Sequence, residues 1–264
     1  MLIYLTYRCS MGCSHCMSNC KPDGTDMTPD ILEDVFAFYR KHQIPNLVFS
    51  GGEIFENPYI LELLRIIEEN WDKKFPLSFI TNGRKLADTP DIFEAVQQLQ
   101  GKYGKKMVII QVTDDSRFYP ESPTEKQRYR LKKLNAIIEG VPGSGNKCLY
   151  PQGRALENFN SSSWNTIAPK CSNVRLLPRQ GIRTIHDIVM TLLQAGKVCT
   201  PTISPAGEIK LGESALCPSV ASIYDTEKEI IEKIMECKCH SCQYAWEQLK
   251  GTNMRAYQML MKED

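Results

Sequence analysis

The sequence predicts an α/β protein with a parallel sheet and crossover helices. Short apolar runs, rich in β-branched and aromatic residues, alternate with segments of helical periodicity through the first half of the chain. The four clearest runs, Met1–Tyr7, Asn46–Ser50, Leu77–Thr81 and Met107–Thr113, nearly lack charge, as strands covered on both faces do. The chain has 264 residues, 42% of them hydrophobic and 24% charged. That composition excludes wholesale disorder, and the length supports one large domain, or one domain plus a small appendage.

Each element has a local reason. Thr28-Pro29 opens a helix to about Lys41, with Pro29 suited to a first turn and Ile31, Leu32, Val35 and Phe38 on one face. Tyr59–Asn70 repeats the pattern with Leu61, Leu64 and Ile67. Asn82-Gly83 marks a turn after the third strand. Ile92–Leu99 is predicted helical, Glu125–Gly140 reads as one helix closed by glycine, and Lys147–Tyr150 reads as a fifth strand. Beyond Asn158 the rhythm changes. Arg183–Gln194 is predicted helical, Thr200–Ser204 and Glu208–Leu211 flank Pro-Ala-Gly as a hairpin, and two helical patterns finish the chain. The expected boundary lies near residue 195, where cysteine density rises.

The charge balance, 32 Lys+Arg against 31 Asp+Glu, supplies no global field for a polyanion or an anionic membrane. No apolar run approaches the ~18 residues of a membrane span. The N-terminus lacks the basic region of a signal peptide. A cytoplasmic location follows as an expectation, and with it reduced thiols. The 11 cysteines then read as metal or cluster ligands, or as buried thiols.

Cys9-Ser-Met-Gly-Cys13-Ser-His-Cys16 places three thiols on one short loop directly after a strand. Three thiolates suit an iron–sulfur cluster better than structural zinc, which closes with four protein ligands. A zinc knuckle completed by Cys20 or His15 is the competing reading. Phe49-Ser50-Gly51-Gly52-Glu53 ends the second strand; its glycines permit close backbone approach, and its carboxylate can accept from an ammonium.

Together these motifs resemble the radical S-adenosylmethionine (radical SAM) superfamily. The resemblance implies a partial (β/α)6 barrel in which Cys9, Cys13 and Cys16 hold a [4Fe–4S] cluster with one iron left for S-adenosylmethionine (SAM). It implies that Gly51, Gly52 and Glu53 contact the amino end of SAM, that Asn82 lies nearby, and that Thr113 and Asp114 reach the ribose hydroxyls. For Asp114 and Asp115 a solvated loop pair is an equal reading. His15 stands where many members carry an aromatic residue against adenine, a departure that weakens that contact.

Among the later thiols, Cys199, Cys217 and the Cys239-His-Ser-Cys242 pair make a four-thiolate set, suited to zinc or to a cluster. A hairpin begun by cysteine, then cysteine, a helix and Cys-x2-Cys resembles the twitch domain, the short form of SPASM, which implies one auxiliary [4Fe–4S] cluster. Cys237 is the rival ligand. The expected domains are 1–195 for the core and 196–264 for this β-hairpin-plus-helix, cluster-binding extension. Cys20, Cys148 and Cys171 have no assigned task, and His240 reads as a neighbour of the cluster. Gly153-Arg154-Ala155 is similar to a segment of SPASM/twitch enzymes, so Arg154 either contacts SAM or substrate or is a surface arginine.

The function implied is that of a radical SAM oxidoreductase: reductive cleavage of SAM, abstraction of a substrate hydrogen atom, loss of a proton to a base, and an electron passed to the auxiliary cluster. Asp114, Asp115 and Tyr4 are the candidate bases. The expected partners are a small-molecule or short-peptide substrate and a flavodoxin- or ferredoxin-type electron donor. A sugar, aminocyclitol, nucleoside or amino-acid derivative fits the short chain. The alternatives are a peptide maturase forming a thioether or carbon–carbon crosslink, an enzyme acting on a nucleobase, and a zinc-binding interaction module.

Overall fold

The computed structural model describes residues 1–45, 47–139, 149, 152–159, 181–195, 200–237, 239, 250–251, 254–255 and 258. Cys148, Cys171, Cys199, His240 and Cys242 lie outside that set, as does most of the expected strand Lys147–Tyr150. The chain divides into two compact units. One comprises Met1–Ser14, Cys20–Pro142 and Ile203–Gly207; the other comprises His15–Asn19, Gly143–Thr202 and Glu208–Asp264.

The first unit is the α/β part, its strands separated by crossover helices. Strand β1 (Leu2–Thr6) leads to helix α1 (Pro29–Lys41), and β2 (Leu47–Gly51) to a 3-10 turn (Ile54–Glu56) and α2 (Ile60–Asn70). Strand β3 (Leu77–Thr81) is followed by α3 (Arg84–Asp88) and α4 (Pro90–Tyr103), then β4 (Val108–Thr113), α5 (Glu125–Lys133) and β5 (Ile137–Glu139). The strands stand in the order β5-β4-β3-β2-β1, and all of these neighbours are parallel. Sequential order with a helical crossover at every step gives an open parallel sheet, the expected partial-barrel arrangement.

Burial follows the apolar pattern. Every residue of β1 is buried, whereas β4 alternates buried and half-buried positions. Phe49 of β2 stacks on Phe79 of β3 with ring centroids 5.4 Å apart, and Phe55 packs against Phe79 at 6.1 Å. Each such ring contributes ~1.5–3 kcal/mol relative to exposure. Helix α1 turns in Leu32, Val35, Phe36, Phe38 and Tyr39, and α2 turns in Ile60, Leu63, Leu64, Ile66 and Ile67. Both stripes have the helical period.

Glu125–Gly140 is not one helix, which corrects the sequence expectation. A capping box of Thr124 and Gln127 starts α5. It stops because Asn135 takes φ +50°, with Asn135 N–H donating to Lys132 O at 2.9 Å and Ala136 N–H to Leu131 O at 3.1 Å. That is a Schellman closure with asparagine in the left-handed position. Ile137 and Ile138 are thereby freed to extend as β5.

In the second unit, the short helix α6 (Arg154–Asn158) follows Gly153, and α7 (Ile185–Ala195) confirms the expected helix over Arg183–Gln194. Between them the two units supply β6 (Thr202–Ile203), the turn in which Gly207 N–H donates to Ser204 O at 3.0 Å, and β7 (Glu208–Lys210). Strand β7 pairs antiparallel with β8 (Ser219–Ser222). Helix α8 (Glu227–Glu236) opens on a second capping box, Thr226 with Glu229, and turns Ile230 and Ile234 inward.

Candidate active site

The loop carrying Cys9 leaves β1 and returns beside it. Cys9 N–H donates to Lys21 O at 2.9 Å, Lys21 N–H to Tyr7 O at 3.1 Å, and Tyr7 N–H to Thr25 O at 2.8 Å. Arg8 locks this stem: its guanidinium pairs with Asp26 at 2.6 Å and donates to Pro22 O at 2.7 Å. Thr6 Oγ1 donates to Asp26 Oδ1 at 2.6 Å.

The Gly51-Gly52-Glu53 segment is the joint on which this stem rests. Gly52 N–H donates to Thr6 O and Glu53 N–H to Arg8 O, both at 2.8 Å, so β1–β2 pairing continues past the strands. A Cβ on Gly51, whose φ is +135°, would stand 2.2 Å from Thr6 O; one on Gly52 would stand 2.1 Å from Arg8 O. The close approach inferred from these glycines is therefore made first by the chain's own backbone, on its way into Cys9.

Glu53 has partners inside the protein. It is fully buried, and both carboxylate oxygens are taken inside the protein. Oε1 accepts from Thr81 Oγ1 at 2.6 Å and from Phe55 N–H at 3.2 Å, and Oε2 accepts from Asn82 N–H at 2.7 Å. The side chain ties the exit of β2 to the exit of β3. Burial pushes its pKa up to about 7 against the opposing effect of those hydrogen bonds. Asn82 is likewise engaged, its Oδ1 accepting Arg84 N–H at 3.0 Å at the start of α3.

Cys9 and Cys13 are both buried, and Cys16 is half-buried. Burial, more than any other cause, pushes the Cys9 thiol up to about 12; smaller contributions come from the charges of Glu53, Glu56 and Cys13. A thiol in that environment stays neutral unless a cation holds it, and iron would deprotonate it outright. Among the described residues no three His, Cys, Asp or Glu side chains converge on one point as for a single ion. A cluster takes one thiolate per iron, so its ligands need no such convergence.

The residues between the cysteines are anchors, which sequence reasoning missed. Ser10 donates through N–H and hydroxyl to Glu56 at 2.9 and 2.6 Å. Arg84 approaches Met11 Sδ at 3.8 Å. Ser14 donates through N–H at 3.1 Å and hydroxyl at 3.2 Å to Phe118 O. In the second unit, Arg154 N–H donates to Cys16 O at 2.9 Å, and a Cβ on Gly153 (φ +56°) would meet that same oxygen at 2.4 Å. The Gly-Arg-Ala segment thus braces the last cysteine through its backbone. Ala215 N–H holds Met17 O at 2.8 Å, and Ser18 Oγ donates to Glu213 O at 2.7 Å. His15 is half-buried beside Cys16.

The candidate bases lie in occupied positions. Tyr4 is 3% exposed within β1, its ring edge-on to Tyr7 at 5.6 Å. Asp115 accepts from Arg117 Nε at 2.9 Å. Asp114, at the exit of β4, is paired with Arg128 through Oδ2, but its Oδ1 is buried with no hydrogen-bond partner. A buried acceptor left open in this way fits a donor brought by a ligand. The Thr113 hydroxyl next to it receives the Tyr119 hydroxyl at 2.7 Å.

Of the C-terminal ligand set, Cys217 and Cys239 are described and both are half-buried. The Cys237 thiol is raised by burial and then by the charge of Cys239.

A parallel α/β sheet whose first strand runs into a three-cysteine loop, braced on Gly-Gly-Glu, defines a class of cluster-dependent enzyme. The Radical SAM superfamily model matches residues 3–138, and the chain belongs to that superfamily. Membership implies a SAM-binding [4Fe–4S] cluster and sets aside the non-enzyme zinc module. Among solved structures, native anSMEcpe with bound AdoMet and Cp18Cys peptide is similar over 92% of this chain and 81% of that chain, with 13% identity and a TM-score of 0.52. SuiB of Streptococcus suis bound to precursor peptide SuiA is similar over 87% and 63%, with 14% identity and a TM-score of 0.55. The chain thus spans less than two thirds of SuiB, and the likeness is one of fold. No match is found among curated protein sequences.

The residues present fit the family's cofactors. Cys9, Cys13 and Cys16 would supply three thiols for a cluster, and the buried, unpartnered Asp114 Oδ1 would accept a hydrogen bond from SAM.

Proposed function

We propose that this protein cleaves SAM reductively and uses the resulting radical to oxidise a compact organic substrate. The observation that carries this reading is the three-thiol loop, hydrogen-bonded at its entry onto Gly52 and Glu53. When bound, the first cluster with SAM supplies a 5′-deoxyadenosyl radical, and an auxiliary cluster supplies a sink for one electron.

The chain's own residues define the rest. Cys9, Cys13 and Cys16 would hold the cluster, leaving one iron available to SAM. The Gly51-Gly52 backbone lies at the base of that site. Asp114 Oδ1 accepts from a ribose hydroxyl, while Arg128 pairs with the other carboxylate oxygen and fixes its orientation. Cys199, Cys217, Cys239 and Cys242, with Cys237 as substitute, ligate the auxiliary cluster. Loss of a hydrogen atom, a proton and an electron from one substrate makes a net two-electron oxidation. A flavodoxin- or ferredoxin-type protein in the cytoplasm supplies the reducing electron.

A second reading applies the same chemistry to a peptide. It is favoured by the bound peptides of anSMEcpe and of SuiB. Anaerobic incubation with deuterated candidate substrates separates the two readings. Deuterium entering 5′-deoxyadenosine from a small sugar or aminocyclitol supports the first, and from a cysteine-containing peptide the second. Iron and sulfide counts near four per chain, in place of roughly eight, would remove the auxiliary cluster from either.

A further inference from the structure

Glu56 has no part in the family motifs, yet its carboxylate is set directly against the cysteine loop. It stands at the end of the 3-10 turn after Gly51-Gly52-Glu53. From there it receives both donors of Ser10, the N–H on Oε2 at 2.9 Å and the hydroxyl on Oε1 at 2.6 Å. Ser10 directly follows Cys9 and precedes Cys13 by three positions. The contact crosses 46 residues of chain, so nothing local requires it. Both partners belong to the first compact unit.

We propose that Glu56 is a positioning residue for the SAM-binding cluster, holding the Cys9–Cys13 backbone and keeping the cluster's reduction potential low. This rests on the radical SAM reading of the cysteine loop. Two physical effects act in one direction. Hydrogen bonds to cluster sulfurs and nearby positive charge favour the reduced state. A carboxylate that consumes the Ser10 N–H denies that donor to a sulfur, and it adds a fixed negative charge beside the site. A low potential is what cleavage of SAM by electron transfer needs.

The test compares the anaerobically reconstituted holoenzyme with Glu56→Gln and Glu56→Ala by iron content, redox titration and electron paramagnetic resonance. Glutamine keeps the size and one acceptor but loses the charge; alanine releases both Ser10 donors. The expected result is wild-type iron content in Glu56→Gln with a more positive midpoint. At the wild-type midpoint, the ratio of reduced to oxidised cluster rises at least threefold, a shift of about 28 mV at 59 mV per tenfold. Glu56→Ala shifts further and alters the signal of the reduced cluster. Ser10→Ala, which keeps the N–H contact, stays near wild type.

An unchanged midpoint and signal in Glu56→Gln, with the cluster present, overturns the proposal and leaves the radical SAM reading intact. A more negative midpoint overturns it equally. Wild-type protein that takes up no iron overturns the radical SAM reading first, and this inference with it. Should Glu56→Ala fail to fold, Glu56→Gln decides.

Discussion

The two cysteine-bearing regions are built on different plans. The first packs three thiols into eight residues, and three of the five residues between them are anchored: Ser10 by Glu56, Met11 by Arg84, Ser14 by Phe118. Cys9 and Cys13 are buried. The second, where we propose the auxiliary ligands, runs from Cys199 to Cys242, and the described members of that set, Cys217 and Cys239, are half-buried. A site that must leave one iron open has its geometry held by the protein around it. A site closed by four thiolates can rely on the cluster to draw dispersed ligands together, as structural metal sites do.

The sharpest way to break that comparison is to remove one cysteine from each region. Cys13→Ala is expected to lower 5′-deoxyadenosine formation to background and to remove about four irons per chain. Cys217→Ala is expected to remove a similar amount of iron yet leave SAM cleavage running, uncoupled from product. Equal loss of SAM cleavage in both variants, measured by chromatography, would erase the distinction.

The anchoring itself is tested at Gly52. A Cβ there meets Arg8 backbone oxygen at 2.1 Å, and backbone yields poorly. Gly52→Ala is expected to cost about 3 kcal/mol, the upper end of overpacking penalties, read from denaturant melts. A loss under about 1 kcal/mol would mean that the β1 exit can shift.

Glu53 gives a pH signature of similar size. Its folded pKa of about 7 lies above the ordinary carboxyl value of 4.5. Its contribution is therefore fully present below pH 4.5, is lost as pH rises, and is gone above about 7. The loss is of order 3 kcal/mol. In the cluster-free chain, Glu53→Gln should flatten the stability profile across that window. An unchanged slope would show that the carboxyl ionises freely.

The smallest effect is expected at Asp114. Asp114→Asn weakens the hydroxyl acceptor and its pairing to Arg128, and should raise the Kd for SAM by roughly 10- to 30-fold, ~1.5–2 kcal/mol, the lower part of the range for a hydrogen bond to a charged group. Isothermal titration with unchanged affinity would place SAM away from β4.

Much of this was legible in sequence because the informative signals are local. Strand composition, the Thr28-Pro29 start and the contiguous Cys-x3-Cys-x2-Cys all lie within a few residues. The break between α5 and β5 was missed because Leu131, Leu134 and Ile138 keep a helical spacing across Asn135, whose left-handed φ ends the helix. Glu56 and Phe118 could not be read at all. They meet Ser10 and Ser14 across 46 and 104 residues, and no motif marks them. Glu53 was found, but its ties to Thr81 and Asn82 were not, since a sequence names a carboxylate without naming its partners.

The most direct test of the central claim is SAM cleavage itself. Wild-type protein purified and reconstituted without oxygen, then reduced in the presence of SAM, is expected to release 5′-deoxyadenosine and methionine in equal amounts, with Cys13→Ala at background. Intact SAM after reduction, on a protein carrying its full complement of iron, would contradict the account.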